Sequence, residues 1–277
     1  MVRKDLAEIL GALLEESDAN VTPSDENRYS QATGVRIFDA PLMGVASASD
    51  GLFESLLRHD VIGPHHIGPD EWLPGAKSVV SFFFPFSEVV RRSNSAEIAM
   101  PSAGWLYARI EGQALINKLM AELALKLACS GQRCVVPSLD ARFWSKTSDT
   151  TARHPGKSYT SCWSERHVAF ICGLGTFGLS KGLITSRGTA GRFSSLITVT
   201  ELEADERRYP GATDYCTMCG ECVLNCPAGA ITLIDGKDHA KCSAFLDATL
   251  EAFKPRYGCG KCQVDVPCEH MIPNKVR

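Results

Sequence analysis

The sequence predicts a large α+β domain followed by a small, cysteine-ligated module, and three observations carry that prediction. Lys77 to Phe84 is an apolar run closed by Pro85, which is how a strand covered on both faces reads. Trp105 to Ala128 places Ile110, Ala114, Leu115, Leu119, Leu123 and Leu127 on one side of a long helix. Eight of the 12 cysteines fall within the last 62 of 277 residues, at ligand spacing.

The remaining elements follow in chain order. Residues 3–16 carry Leu6, Ile9, Leu10, Leu13 and Leu14 on one helical stripe, and 17–34 are polar and turn-rich. Val35 to Val45 alternates around Phe38 and Leu42 until Pro41 interrupts it, and Asp50 is placed to cap a short helix through Leu57. Gly63 to Pro74 reads as irregular. Cys129-Ser130-Gly131 ends the long helix, and Cys134-Val135-Val136 is a short strand stopped by Pro137. Ser138 to Ser161 is polar, and a loop of that length is expected to be either disordered or part of an active site. Ser164 opens a helix with His167, Val168, Phe170 and Ile171. Gly173 to Gly178, the strand-like pieces 182–185 and 192–199, and a charged seam from Glu201 to Gly211 lead into the cysteine-rich end. Helices and strands alternate loosely over 35–200, so the class is α+β, with α/β as its neighbour.

Bulk composition narrows the function. Apolar residues make up 44%, charged residues 22%, and the formal net charge is −3, so neither disorder nor a nucleic-acid face is indicated. Arg91-Arg92 and Arg207-Arg208 are isolated pairs of solvated surface type rather than a stripe. The greasiest stretch, Val79 to Val90, contains Pro85, Ser87 and Glu88, so no membrane span is expected. The acidic start at Asp5 argues against a secretory signal, and clustered cysteines in a long chain suit a reducing cytoplasm better than disulfides.

Cys216, Cys219, Cys222 and Cys226 form a C-x2-C-x2-C-x3-C run closed by Pro227. In that bacterial spacing three thiolates hold one iron–sulfur cluster and the fourth crosses to a second. Cys242, Cys259, Cys262 and Cys268 supply the other half. The expected partition is Cys216, Cys219, Cys222 and Cys268 on one [4Fe–4S] cluster, and Cys226, Cys242, Cys259 and Cys262 on the other. Zinc is the weaker reading, because the run packs too many cysteines for one tetrahedral ion. The second half is unusual: Val266 stands where a cysteine before Pro267 is expected, so Cys268 must serve beyond the proline. The alternative is a free Cys268 thiol with an open iron site.

A family resemblance adds to this. Cys172-Gly173-Leu174-Gly175-Thr176-Phe177-Gly178, continued by Leu183-Ile184, resembles the stretch by which epoxyqueuosine reductases cradle a cobalamin. The order that follows is similar too: the four-cysteine run, Lys241-Cys242-Ser243, and Tyr257-Gly258-Cys259-Gly260-Lys261-Cys262-Gln263. The resemblance covers roughly 35–277 and extends to the respiratory reductive dehalogenases. It implies a nitroreductase-like corrinoid-binding domain at 35–208, a bacterial-ferredoxin-like two-cluster module at 209–277, and an N-terminal helix and loop at 1–34. The sequence departs from the reductases at three points. It ends at Arg277 without their C-terminal helical-repeat extension, which lowers the expectation of a tRNA substrate. Tyr159 falls where their catalytic aspartate stands, resembling the tyrosine proton donor of the dehalogenases. Leu179 replaces a lysine, with Lys181 two residues on.

The resemblance implies that Gly173, Gly175 and Gly178 bring backbone close to a cofactor, with a simple packing turn as the alternative. Ser180, Lys181 and Thr185 are candidate donors to it. Tyr159 is the candidate proton donor, since a phenol is neutral at pH 7 and can protonate a carbanion or alkoxide. Arg153, His154 and Lys157 precede it as candidate cations, and Arg142 is a second anion contact. His167 reads as structural, and His65-His66 as a lower cobalt ligand the family does not need. Cys129, Cys134, Cys162 and Cys172 read as buried and inert, with Cys162 kept as a candidate active-site thiol. The expected activity is electron transfer from two clusters to a corrinoid that reduces a small organic substrate, with a ferredoxin or flavodoxin as donor and a homodimer as the habit of such domains. FMN on the same scaffold, and a corrinoid-handling or electron-transfer accessory protein, are the competing expectations.

Overall fold

Two apolar layers enclose a four-stranded antiparallel sheet, and the apolar run of the sequence is one of its two inner strands. The computed structural model describes residues 3–22, 33–146 and 158–274. Helix α1 (Arg3–Glu15) precedes β1 (Leu42–Ser47), the short helices α2 (Gly51–Ser55) and α3 (Pro69–Trp72), and β2 (Ser78–Pro85). Then come α4 (Glu88–Ala96), the long α5 (Ala103–Cys129), and the short strands β3 (Cys134–Val135), β4 (Ser145–Lys146) and β5 (Thr160–Ser161). Helix α6 (Glu165–Ile171), the hairpin β6 (Gly175–Phe177) and β7 (Leu183–Thr185), and β8 (Gly191–Thr198) follow. The cysteine-bearing end holds α7 (Glu221–Leu224), β9 (Ile231–Thr232), β10 (Gly236–Lys237) and α8 (His239–Phe253).

The sheet runs β1-β2-β8-β3, with Val80 opposite both Val45 and Leu196. Alternation along β2 sends Val80, Phe82 and Phe84 into one core with α1 and α5, while Val79 joins Trp72, Trp163, Val168 and Ile171 on the other face. Both faces are therefore covered, and every residue of β2 is buried. Because all pairings are antiparallel, the class is α+β. Leu6, Leu10 and Leu14 of α1 share the core of β2 and α5, so the first helix packs as part of the large domain.

Local chemistry sets the ends. Ser102 caps α5 by accepting from Trp105 N, and Asp50 caps α2 by accepting from Leu52 N. Before Pro41 the alternation seen in the sequence yields only two isolated bridges, Arg36 to Val21 and Phe38 to Phe86, and β1 begins after the proline, which cannot donate to a ladder. Helix α4 was not expected, because Glu88–Ala96 is mostly polar; Ser87 starts it by accepting from Val90 N. The ends of the long polar loop pair as β4 and β5, and its centre lies outside the described residues.

The charged seam is stitched to the sheet edge. Asp205 N donates to Val45 O, Val45 N donates to the Asp205 carboxylate, and Arg207 reaches Asp50 and Ile171 O. Truncating Phe84 to alanine should lower stability by about 3–5 kcal/mol, while Ile98→Ala, at a site 91% exposed, should stay within about 0.5 kcal/mol. Urea midpoints of the two variants check the contrast.

Candidate functional site

The eight C-terminal cysteines part into two groups, each lining its own cavity. Cys216, Cys219, Cys222 and Cys268 line one, together with Gly178, Ser180, Met218 and Pro267. Cys226, Cys242, Cys259 and Cys262 line the other, against Trp105, Arg109, Arg192 and Lys237. The thiols affect one another accordingly. Burial first, then Cys222, Cys216 and Cys219, push the Cys268 thiol up to about 12. Burial, with Cys262, Cys242 and Cys226 adding to it, pushes Cys259 up to about 11. Such thiols hold their protons until a metal displaces them.

Backbone shape permits this grouping. Met218 and Gly220 in the first loop, and Gly260 in the second, sit at positive φ, which lets short x2 spacings fold back on themselves. Gly260 is also required by packing, since a Cβ there would collide with the Trp105 indole. Beside it, Lys261 donates to the carbonyls of Asn94 and Glu97 (2.5 Å each), and Asn94 donates to Cys259 O at 3.0 Å. Arg91 pairs with Glu269 at 2.9 Å, and Thr189 N donates to Cys268 O at 2.9 Å. Helices α4 and α5 and the turn before β8 thus hold the second half of the cysteine segment.

Next to the thiol cavities lies a wide polar cleft of about 930 Å³, at the upper end of cofactor-pocket size. Among the described residues it is lined by Tyr159, Arg166, His167, Gly178, Lys181 and His239, with hydroxyls from Ser145, Ser158, Ser164 and Thr213. Tyr159 holds φ +58 and is 37% exposed, and its ring stacks on His239 with centroids 5.5 Å apart. Arg166 donates to Lys181 O at 2.7 Å; burial lowers its pKa, against the pull of Cys262 and Cys242. The cleft and the second thiol cavity are therefore electrostatic neighbours, while Gly178 borders both the cleft and the first.

The glycine segment divides its duties. Gly178 and Lys181 face the cleft, and Ser180 lines the first thiol cavity. Gly175 is a packing glycine, where any Cβ would strike Ile184 O across the hairpin. Gly173, at φ +80, lies against Asp205 and Glu206, and the buried Thr185 closes a turn by donating to Gly188 O at 2.8 Å. Arg142 is taken up by Asp140, by the carbonyls of Glu71 and Trp72, and by the Trp72 ring. Arg153, His154 and Lys157 lie outside the described residues.

Cys162 is buried and its sulfur accepts from Trp144 N, so it does not face the cleft. Cys172 is buried, Cys134 is part-buried, and Cys129 is exposed, contrary to the expectation of four buried thiols: it ends α5 on the solvent side. His167 shares a hydrogen bond with Ser164 Oγ (2.8 Å) and also lines the cleft. Sequence reasoning missed Arg166, His239, Arg109 and Arg192. The signal for His239 was its place three residues before Cys242, at the start of a helix capped by Asp238.

His65 shares a hydrogen bond with Thr160 at 2.7 Å, whereas His66 is buried against Trp163 with neither ring nitrogen partnered. Burial, then His167 and His65, lower the His66 pKa to about 4. A histidine held neutral in the fold contributes stability above its unfolded pKa near ~6.5 and loses it as pH falls toward 4. His66→Phe should remove that loss. The stability difference between variant and parent should grow in the variant's favour by up to about 1.4 kcal/mol per pH unit across this window, measured by urea unfolding at each pH.

A family signature described as a 4Fe-4S binding domain matches residues 212–232. No curated protein matches the chain in sequence. Among solved structures, epoxyqueuosine reductase with a tRNA-Tyr epoxyqueuosine-modified stem loop aligns with a TM-score of 0.55 at 18% identity, over 96% of this chain and 65% of that one. A selenomethionine-labelled epoxyqueuosine reductase gives 0.51 at 19%, over 84% and 65%. The catabolic reductive dehalogenase NpRdhA, in complex with 3-bromo-4-hydroxybenzoic acid, gives 0.52 at 14%, over 98% and 37%. The chain thus spans 65% of the length of these reductases and 37% of the dehalogenase. No helix among the described residues is long and apolar enough to cross a membrane. This chain, which carries a 4Fe-4S signature, has the fold shared by epoxyqueuosine reductases and reductive dehalogenases.

Proposed function

We propose that this protein is an iron–sulfur oxidoreductase whose two cysteine quartets hold two [4Fe–4S] clusters beside a cleft that binds a corrinoid and a small organic substrate. The observation that carries the reading is the parting of eight cysteines into two separate cavities, one sharing Gly178 with a wide polar cleft and the other within electrostatic reach of the cleft's Arg166. Four soft thiolates around a cavity suit an iron–sulfur cube. A corrin ring with its amide side arms needs a broad slot edged by hydrogen-bonding groups, and the cleft's hydroxyls, its cations and the bare backbone at Gly178 suit that demand. When bound, the clusters supply single electrons and the corrinoid supplies the strongly reducing centre.

The chain's own residues bind, orient and protonate. His239 and the left-handed backbone at Tyr159 hold the phenol at the cleft, where its proton can go to a reduced substrate. Arg166 and Lys181 make the same wall cationic and favour substrates with a carboxylate, phenolate or phosphate. A ferredoxin or flavodoxin in a reducing cytoplasm is the proposed electron source. FMN in the same cleft is the competing cofactor, and a visible spectrum after cofactor extraction separates the two. Turnover of an epoxyqueuosine-modified stem loop, rather than a small molecule, would move the substrate class to nucleic acid.

Anaerobically purified protein should carry about eight irons and shift the spectrum of an added corrinoid. Protein that keeps both clusters and binds no corrinoid would overturn this reading. Tyr159→Phe should bind the corrinoid unchanged and lower substrate turnover by about 10²–10⁴-fold; turnover at the parental rate removes Tyr159 from the mechanism. Cys268→Ala should halve the iron content, leaving one electron paramagnetic resonance signal of the two.

A further inference from the structure

The two thiol cavities differ sharply in charge. The cavity of Cys216, Cys219, Cys222 and Cys268 is lined by no ionisable side chain other than the thiols. The cavity of Cys226, Cys242, Cys259 and Cys262 is lined by Arg109, Arg192, Lys237 and Lys261 and by no carboxylate. Arg192 points both Nε and Nη2 at the neutral Gln113 Oε1 (3.0 and 2.5 Å), and no carboxylate pairs with it among the described residues. Arg109 lies over the Tyr257 ring at 4.5 Å, with its buried Nε unpartnered. Burial, and after it repulsion from the neighbouring Arg109, lower the Arg192 pKa to about 10. Two part-buried, unmatched cations side by side are costly unless a negative group stands opposite them. On the two-cluster reading that group is a [4Fe–4S] cluster, whose four thiolates outweigh the net positive charge of its iron–sulfide core.

Resting on the two-cluster reading, we infer that Arg192 and Arg109 set the cluster of Cys226, Cys242, Cys259 and Cys262 at the higher reduction potential. An electron from an external one-electron donor adds negative charge to whichever cluster takes it. That charge is stabilised beside Arg192 and Arg109 and finds no cation at the first cavity. The electron passes from the first cluster to the second, oxidising one as it reduces the other, and comes to rest beside Arg166 at the cleft. Arg192 and Arg109 are positioning residues: they act through the cluster and touch no substrate.

The test is a potentiometric titration of the anaerobic holoprotein, followed by electron paramagnetic resonance, with iron counted in each sample. Two separate one-electron steps are expected in the parent. In Arg192→Gln the higher step should fall so that the reduced-to-oxidised ratio at a fixed potential drops at least tenfold, about 59 mV, while the lower step stays put. Arg192→Lys should restore most of the difference. If Arg192→Gln assembles only one cluster, Arg109→Gln carries the measurement, with the same shift expected. An unmoved higher step, equal shifts in both steps, or a shift confined to the lower step overturns the inference. A parent with fewer than about eight irons and a single signal instead removes the cluster reading itself, before any variant is compared.

Discussion

Trp105 packed against Gly260 is the contact on which the site geometry depends. Trp105 is 3% exposed, belongs to the core of β2 and α5, and meets Phe86 edge-on at 4.8 Å. Its indole leaves room only for a residue without Cβ, and Gly260 at φ +70 is that residue. Cys259 and Cys262 flank this point, so the large domain decides where two thiols of the second cavity stand. Lys261 then ties the same turn to the carbonyls that close α4, satisfying acceptors a helix end leaves open.

The second constraint is electrostatic. With the two proposed clusters bound, the cysteine segment would bring eight negative thiolates, and the large domain answers on one side only. Arg109 comes from α5, Arg192 from β8 and Arg166 from α6, so three separate elements of the core aim cations toward one quartet and the cleft. None of the three has a carboxylate partner among the described residues, whereas Arg91, Arg207 and Arg256 are all neutralised by Glu269, Asp50 and Glu111. Unpaired guanidiniums kept beside paired ones mark where this fold expects negative charge from a group other than its own acids.

Much of this was legible in the sequence, for identifiable reasons. β2 and α5 were read because burial on two faces, or along one helical stripe, writes a periodic pattern into the chain. The four-cysteine run was legible because 4Fe-4S ligation fixes such spacings locally, and the 4Fe-4S signature at 212–232 covers it. Helix α4 was not: its residues are mostly polar, and its buried polar members, Arg91 and Asn94, are held there by contacts with Glu269 and Cys259 far along the chain. The glycine segment was half legible. Gly178 faces the cleft, but Gly175 and Thr185 serve the hairpin and its turn, and motif shape alone does not distinguish a glycine needed by a ligand from one needed by a neighbouring strand. Arg192 sits at the start of β8, and only the tertiary fold shows that its charge faces thiols.

The central claim, that the two cysteine quartets hold two separate iron–sulfur clusters, is tested most directly by anomalous diffraction at the iron edge from crystals grown anaerobically. The account predicts two groups of iron peaks per chain, one ringed by Cys216, Cys219, Cys222 and Cys268, the other by Cys226, Cys242, Cys259 and Cys262. A single group of peaks, or iron ringed by a set of cysteines mixed from the two cavities, would contradict it.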